Sequence, residues 1–288
     1  MALNLNKIKL GIIGANSFLG DNLCEVLIKK KVTFKKFFSY KKNKKDWINK
    51  ILNEVKSYKP DLIIYCSSAQ LFDESEKTIK ELINTNILAQ LLVIKKALRN
   101  KNFKGFITFG SKWEYDQKGN VDPLNFYAAS KASADIILKL LSKDFNLPIV
   151  SLKLPDTFGN NDKRNKILNI IRENYKKNRT SNLTPGNQYL DLVNINDIIN
   201  LILIILNEIL KNKVKGFQVY SASSRQSIKL IDLISNLNKI LSKKLKVKFG
   251  VKKYRKKEQM YYIKNNFNHP KWRIKNSLNS DLKVFFEF

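Results

Sequence analysis

Lys7-Ile8-Lys9-Leu10-Gly11-Ile12-Ile13-Gly14-Ala15-Asn16-Ser17-Phe18-Leu19-Gly20 is the segment from which the architecture of this chain can be read. Residues Lys7 to Ile13 mix apolar and β-branched side chains and run into glycine, which predicts a buried strand. Leu19, Leu23, Val26 and Leu27 then recur at helical spacing across Leu19 to Lys30. A tight turn between such a strand and such a helix aims backbone N–H groups at an anion held on the helix amino terminus. Gly14 permits the turn, and Gly20 lets helix and strand approach closely. The spacing G-x-x-x-x-x-G is weak alone, and a plain β-to-α turn would also show it. Its place between the first strand and the first helix is what points to an anion site.

Outward from that turn the elements alternate. Val32 to Tyr40, Asp61 to Cys66, Phe106 to Phe109 and Ile149 to Leu154 read as strands. Trp47 to Ser57, Thr78 to Arg99 and Tyr127 to Lys143 read as the helices between them. Strands alternating with helices predict an α/β fold with a doubly wound parallel sheet, whose ligand lies at the carboxyl ends of the strands. After Leu154 the pattern loosens. Ile167 to Lys177 and Leu230 to Leu241 read as helices outside the sheet, and Phe217 to Tyr220 as one more strand. Ile195 to Leu210 is apolar nearly all round, which predicts a buried helix. The expected division is a dinucleotide-binding domain at 1–159, completed by about 190–222. Residues 160–189 and 223–288 then form a smaller, interleaved C-terminal lobe for the substrate.

Composition narrows the class. The 288 residues carry 54 Lys+Arg against 24 Asp+Glu, a net charge of +30, and are 43% hydrophobic, too apolar for a disordered chain. The greasiest run, Ile198 to Leu206, is interrupted by Asn200 and falls short of the ~18 apolar residues a bilayer needs. No signal peptide is visible, and two cysteines fit a reducing compartment, so the expectation is a cytoplasmic protein off the membrane. A single histidine, His269, argues against a multi-histidine metal site, and no metal is expected. Most of the basic residues are lysines spread along the chain, and Asn is abundant too, as A/T-rich codons would produce. Nucleic-acid recognition concentrates Arg and aromatics on one face, so a solvated surface that steers anionic ligands is the favoured reading over a nucleic-acid partner.

Tyr127-Ala128-Ala129-Ser130-Lys131 has the form Y-x-x-x-K, a pattern without weight in so lysine-rich a chain, since Tyr40/Lys44 matches it too. Position discriminates. Tyr127 opens a helix, Lys131 lies one turn on along the same face, and the preceding strand delivers Gly110-Ser111 at its carboxyl end.

The glycine turn resembles the G-x-x-G-x-x-G turn of the extended short-chain dehydrogenase/reductase family of nucleotide-sugar epimerases, dehydratases and reductases. Gly14 and Gly20 match the outer glycines; Ser17 replaces the middle one and fits if its φ is negative. Asn86, in Asn84-Thr85-Asn86-Ile87-Leu88-Ala89, matches the Asn of the family's fourth helix, although Ala89-Gln90 replaces Gly-Thr. Leu152 to Gly159 is similar to R-x-x-N-x-Y-G, with Lys153, Asp156 and Phe158 as departures. Tyr189 to Asp197 resembles R-D-F-V-x-V-x-D, with Leu190 in place of an arginine that often contacts substrate diphosphate. Asp191 and Asp197 are read as capping and strand-end groups in preference to site residues.

The resemblance implies a Rossmann fold, a nucleotide-sugar substrate and catalytic Ser111, Tyr127 and Lys131. It implies cofactor contacts at Gly14, Asn16, Ser17, Phe18, Leu19, Gly20, Ser39, Lys41, Ser67, Asn86, Tyr127, Lys131, Leu154 and Thr157. In that setting a neighbouring ammonium and a positive nicotinamide ring would lower the phenol pKa, so that Tyr127 exchanges a proton with a sugar oxygen. Ser111 would hydrogen-bond the same oxygen, and Lys131 would hold the ribose hydroxyls. With Leu190 unable to bind phosphate, Arg164 and Lys166 are the first choice for the substrate, beside Ser111 and Asp156; Arg225, Arg255 and Arg273 are further options. NAD sites place an acid about 20 residues after the turn, yet Val32 to Lys45 contains none, and Lys29 to Lys45 holds nine lysines. NADP(H) is therefore preferred over NAD(H). Ser111 is followed by Lys112-Trp113, where the family's 4,6-dehydratases carry Asp-Glu, which argues against dehydration. Reduction of a 4-keto deoxysugar nucleotide, as in the 4-ketoreductases of deoxysugar pathways, is favoured. Epimerisation at C4 with bound NAD and a non-catalytic NADP-binding sensor or scaffold are the alternatives. Relatives dimerise through two helices, here Thr78 to Arg99 and Tyr127 to Lys143. A homodimer is expected, although burial against the sheet would also account for their leucines.

Overall fold

Four-residue and longer runs of apolar side chains build the centre of the molecule. The computed structural model describes residues 8–37, 46–263 and 267–287. The strands are β1 (Leu10–Ile13), β2 (Phe34–Lys36), β3 (Leu62–Tyr65), β4 (Gly105–Ser111), β5 (Ile149–Leu154), β6 (Asp156–Phe158), β7 (Ser181–Asn182), β8 (Tyr189–Leu190), β9 (Leu192–Asn194), β10 (Phe217–Ser221), β11 (Ile228–Lys229) and β12 (Val247–Lys248). The α-helices are α1 (Phe18–Lys29), α2 (Trp47–Tyr58), α3 (Glu76–Leu82), α4 (Ala89–Ala97), α5 (Phe126–Asp144), α6 (Ile167–Lys176), α7 (Ile195–Leu210), α8 (Leu230–Ile240) and α9 (Leu278–Glu287).

Six strands form one sheet in the order β10-β5-β4-β3-β1-β2, every neighbouring pair parallel. Strands β1, β3 and β4 are buried along their whole length, as both faces of a parallel sheet are covered by helices. On one face α1 and α7 pack with Leu10, Ile12, Leu62, Ile107 and Val150. On the other, α2, α4 and α5 cover Ile13, Ile63, Phe106 and Ile149. The order reverses beside β1, since the chain passes to β2 on one side and β3 on the other. Such a switch point opens a crevice at the strand ends. The α/β, doubly wound parallel architecture read from the alternation is the observed one.

A third core lies off the sheet. Phe158, Leu168, Ile171, Leu233, Leu237, Phe285 and Phe286 join α6, α8 and α9 into a smaller lobe, reached twice by the chain. Three two-stranded pairings, β6 with β9, β7 with β12 and β8 with β11, stitch it together. Among the described residues no helix is long and apolar enough to cross a membrane.

One expectation needs correction. The single helix over Thr78 to Arg99 is three segments, α3 and α4 joined by a π-helical turn at Ile83–Leu88. Gln90 is buried inside that helix and its amide donates to the Asn86 carbonyl, while its Oε1 accepts from the Thr108 hydroxyl at 2.8 Å. A side chain inserted into the backbone ladder is a recognised cause of such a bulge. Helix α9 was not anticipated either, because its partners, α6 and α8, are remote in sequence.

Candidate active site

The turn after β1 is sterically closed to any side chain at its two glycines. Gly14 has φ +78°. A Cβ there would stand 2.4 Å from the Ser67 backbone nitrogen, and one at Gly20 would stand 2.3 Å from the Gly14 carbonyl oxygen. Ser17 sits at φ −74°, so a serine fits the middle position. It is the N-cap of α1, its Oγ accepting the Gly20 N–H at 3.1 Å. The cap leaves the first N–H groups of α1 without intrahelical partners, the arrangement that receives an anion.

That helix end opens onto a cavity of about 650 Å³. Asn16, Ser17, Phe18 and Leu19 line it, as do Ser67, Ser111, Tyr127, Lys131, Leu154, Asp156, Thr157, Arg164 and Lys166. Gly14 and Gly20 shape the turn from behind. The backbone cradle that a Cβ would fill, the open N–H groups and the room above them fit a nicotinamide dinucleotide. Ser39 and Lys41 lie outside the described residues. Asn86 is fully buried and does not line the cavity. Its Nδ2 donates to the Ala69 carbonyl at 3.0 Å and to Ser130 Oγ at 2.9 Å, while its Oδ1 accepts the Ala69 N–H at 3.0 Å. It therefore joins the loop after β3 to α5, in place of the direct cofactor contact expected.

Ser111 ends β4 and caps a short 3-10 turn at Lys112–Glu114, its Oγ accepting the Trp113 N–H at 3.2 Å. The hydroxyl hydrogen remains available to donate. Tyr127 is the second residue of α5, whose N-cap Asn125 accepts the Ala128 N–H at 2.9 Å. Phe72 and Trp113 flank the Tyr127 ring, with centroids at 5.9 and 6.4 Å. Burial pushes the Tyr127 hydroxyl up to about 12. The protein's own groups thus hold the phenol above its ordinary range, and the lowering expected from the sequence would have to come from the charge of a bound nicotinamide ring. Lost hydration outweighs the hydrogen bond with Ser68 and the positive charges of Lys153 and Arg164. Burial also pulls Lys131 down to about 8, and the Glu114 carboxylate is the strongest influence opposing it.

The substrate-facing groups are partly engaged with one another. Arg164 donates from Nε and Nη2 to the Asp162 carboxylate, each at 2.7 Å, and from Nη2 to the Thr157 carbonyl at 2.7 Å. Its guanidinium also stacks 4.1 Å from the centre of the Phe18 ring, so only part of its donor set is free for an anion. Asp156 pairs with Lys112 and accepts the Asp191 N–H at 3.1 Å. Of the other arginines, Arg255 lines the cavity. Arg273 donates to the Pro270 and Trp272 carbonyls, and neither it nor Arg225 reaches the cavity wall. Lys252 and Lys253 line it and were not foreseen, since Lys252-Lys253-Tyr254-Arg255 is inconspicuous in so basic a chain. Asp191 and Asp197 are structural as read: Asp191 Oδ1 accepts the Ser224 N–H at 2.9 Å and Asp197 Oδ1 the Lys275 N–H at 3.2 Å.

The sequence pattern of the NAD dependent epimerase/dehydratase family matches residues 10–220. A CDP-abequose synthase of Yersinia pseudotuberculosis is 27% identical over 290 residues, covering 94% of this chain and 98% of that protein. A second CDP-abequose synthase, from Salmonella muenchen, is 24% identical over 268 residues, covering 90% and 89%. The fold is similar to that of a UDP-glucose 4-epimerase of Thermotoga maritima with UDP-glucose, at TM-score 0.83 and 16% identity over 97% of this chain and 98% of that one. It is also similar to RMD of Pseudomonas aeruginosa complexed with NADPH, at TM-score 0.77 and 17% identity over 96% and 98%. With the glycine turn and the Ser, Tyr and Lys in place and the match spanning most of the chain, this protein belongs to the NAD dependent epimerase/dehydratase family and is an enzyme of the extended short-chain dehydrogenase/reductase type.

Proposed function

We propose that this enzyme reduces a 4-keto nucleotide-activated deoxysugar, with NADPH as the consumed reductant. The observation that carries the reading is that Ser111, Tyr127 and Lys131 line the same cavity as the amino terminus of α1. A bound nicotinamide dinucleotide supplies the hydride to the carbonyl carbon. Tyr127 donates its hydroxyl proton to the carbonyl oxygen, so that carbonyl, hydride and proton together make the alcohol. A hydroxyl held near 12 keeps that proton at neutral pH until the oxygen becomes basic. Ser111 donates to the same oxygen and orients it. Lys131, as an ammonium, favours negative charge on Tyr127 once the proton has left, and binds the ribose hydroxyls.

The missing carboxylate between Val32 and Lys45 supports NADPH over NADH. Lys112 and Trp113 after Ser111 leave no acid–base pair for water elimination. We assign the dinucleotide to residues 1–159 with about 190–222, and the sugar nucleotide to the lobe of 160–189 and 223–288. Arg164, Lys166 and Asp156 are its proposed contacts beside Ser111. A homodimer in the cytoplasm completes the proposal. Ile83 and Leu88 in the π-helical turn, Leu92 on α4, and Ile136, Ile137 and Leu140 on α5 leave apolar side chains exposed, and Ile136→Lys with Leu140→Lys should yield monomers in sedimentation.

The test is NADPH consumption with a panel of 4-keto sugar nucleotides, alongside dissociation constants for NADPH and NADH. Turnover with NADPH that Tyr127→Phe abolishes is expected. Unchanged turnover in Tyr127→Phe removes the proposed proton donor, and tighter NADH binding removes the cofactor preference. Interconversion of C4 epimers by protein that retains NAD and needs no added reductant would replace reduction with epimerisation.

A further inference from the structure

Behind Ser111 lies a buried ionic cluster that the proposed chemistry leaves without a role. Lys153 on β5 is fully buried, and its Nζ lies 2.5 Å from Glu114 Oε2 and 2.5 Å from Asp135 Oδ2. Glu114 Oε1 accepts the Ser111 backbone N–H at 2.6 Å. Asp135 Oδ1 accepts the Ser151 hydroxyl at 2.8 Å. Gly110 leaves the space for this: a Cβ there would stand 2.3 Å from Glu114 Oε1 and 2.6 Å from Lys153 Nζ. The 3-10 turn that follows Ser111, the strand β5 and the helix carrying Tyr127 and Lys131 are thus joined through one ammonium group.

The charges do not balance within the cluster. Two carboxyl groups face one ammonium; burial raises the Glu114 carboxyl while the Lys153 charge opposes the rise, and a buried net charge is costly unless something compensates it. Lys131 lies one helical turn before Asp135 on α5, so both point from the same face. Among the described residues Lys131 has no ion-pair partner within contact distance. Taken with Lys131, the set holds two ammonium groups and two carboxylates. The charged groups acting on Lys131 are Glu114 from the 3-10 turn, Lys153 from β5 and Asp135 from its own helix; the Cys66 thiol after β3 also faces it, but burial raises that thiol and keeps it neutral. Glu114 is the strongest of those that favour its charged form, and Lys153 opposes it.

We propose that Glu114, Asp135 and Lys153 form a positioning unit that holds the Ser111 backbone against α5 and supplies the counter-charge for Lys131. The inference rests on the roles proposed above for Ser111, Tyr127 and Lys131. It predicts that a charge removed from either carboxylate is felt at Lys131.

Glu114→Gln keeps an acceptor for the Ser111 N–H and removes one charge; Asp135→Asn removes the same charge from the other side. Titration of the Lys131 side chain by NMR in the full chain, assigned with Lys131→Arg, reads the effect without any substrate. Both variants should move the Lys131 midpoint to lower pH by about one unit. In turnover, kcat at pH 8 should fall on the order of tenfold, with KM and the NADPH dissociation constant nearly unchanged. The alkaline limb of the pH profile should move in the same direction. An unmoved Lys131 midpoint in a folded variant overturns the proposal, and so does a loss of melting temperature and NADPH affinity together without a shift of that limb. Should Glu114→Gln not fold, Asp135→Asn, whose side chain is 16% exposed, carries the same comparison. If the wild-type protein turns over no 4-keto sugar nucleotide, the reaction proposed above fails while the Lys131 titration still decides this one.

Discussion

The wall of the cavity beneath α1 and the wall formed by residues 160–167 and 251–258 offer different kinds of recognition. Beneath α1 the groups are backbone N–H donors and buried side chains at strand ends and first helical turns. Gly14 and Gly20 leave no alternative packing there, and Ser111 and Tyr127 are each placed by a cap within three residues. The opposite wall is made of cations on loops. Lys252, Lys253 and Arg255 are exposed, and Arg164 already shares its guanidinium with Asp162. Buried, capped groups act at short range with little screening; exposed lysines act through a field that salt weakens. The first wall suits a fixed cofactor and a reacting bond, and the second suits an anionic ligand that must enter and leave.

Substitutions should separate the two walls, and the largest effect is expected from the first. Tyr127→Phe should lower kcat by roughly 10²- to 10⁴-fold with NADPH affinity retained, measured by NADPH consumption and fluorescence titration. A variant with kcat unchanged would remove the hydroxyl from the chemistry and leave the ring a packing role. Ser111→Ala removes one donor to the developing oxyanion and should cost roughly a hundredfold in kcat. It also deletes the cap of the Trp113 N–H, worth about 1 kcal/mol, readable as a small drop in melting temperature.

The pH dependence comes next. With Lys131 near 8 and Tyr127 near 12, activity should decline as pH rises through about 8, with the tyrosine still protonated. Stability should respond in the opposite sense. A lysine depressed from 10.5 to about 8 in the folded state binds more protons when unfolded between those values, so its contribution to stability rises with pH across that window. Melting temperatures of the wild type and Lys131→Met across that range test the sign, since the variant should lack the rise. The smallest effects belong to the loop wall. Arg255→Met and Lys253→Met should each raise KM for the sugar nucleotide a few-fold, less at high salt, and leave NADPH affinity alone. A kcat effect there would bring the loop into the chemistry and blur the distinction.

Legibility follows the same division. The β5 and α7 boundaries, Ile149–Leu154 and Ile195–Leu210, agree with the expectation at every residue, because each is a dense apolar run closed by a turn or cap. The π turn was hidden because it depends on Gln90 reaching the Asn86 carbonyl and Thr108, a strand away. Trp272 gave no local sign of joining the main core, where its Nε1 donates to the Asp197 carbonyl at 2.9 Å. Lys153 looked like a departure from a family pattern, and only its two carboxylate partners, from different elements, give it a place.

Read as a string, these residues determined the alternation of strand and helix, the glycine turn, and the placing of Tyr127 and Lys131 on one helical face, since each depends on periodicity or on neighbours a turn apart. The ionic state of the site was settled by folding. Whether Tyr127 is lowered or raised, which carboxylates face Lys131, and which of the scattered cations meet at one cavity all depend on burial and on through-space distance. Those quantities exist only once remote segments are brought together.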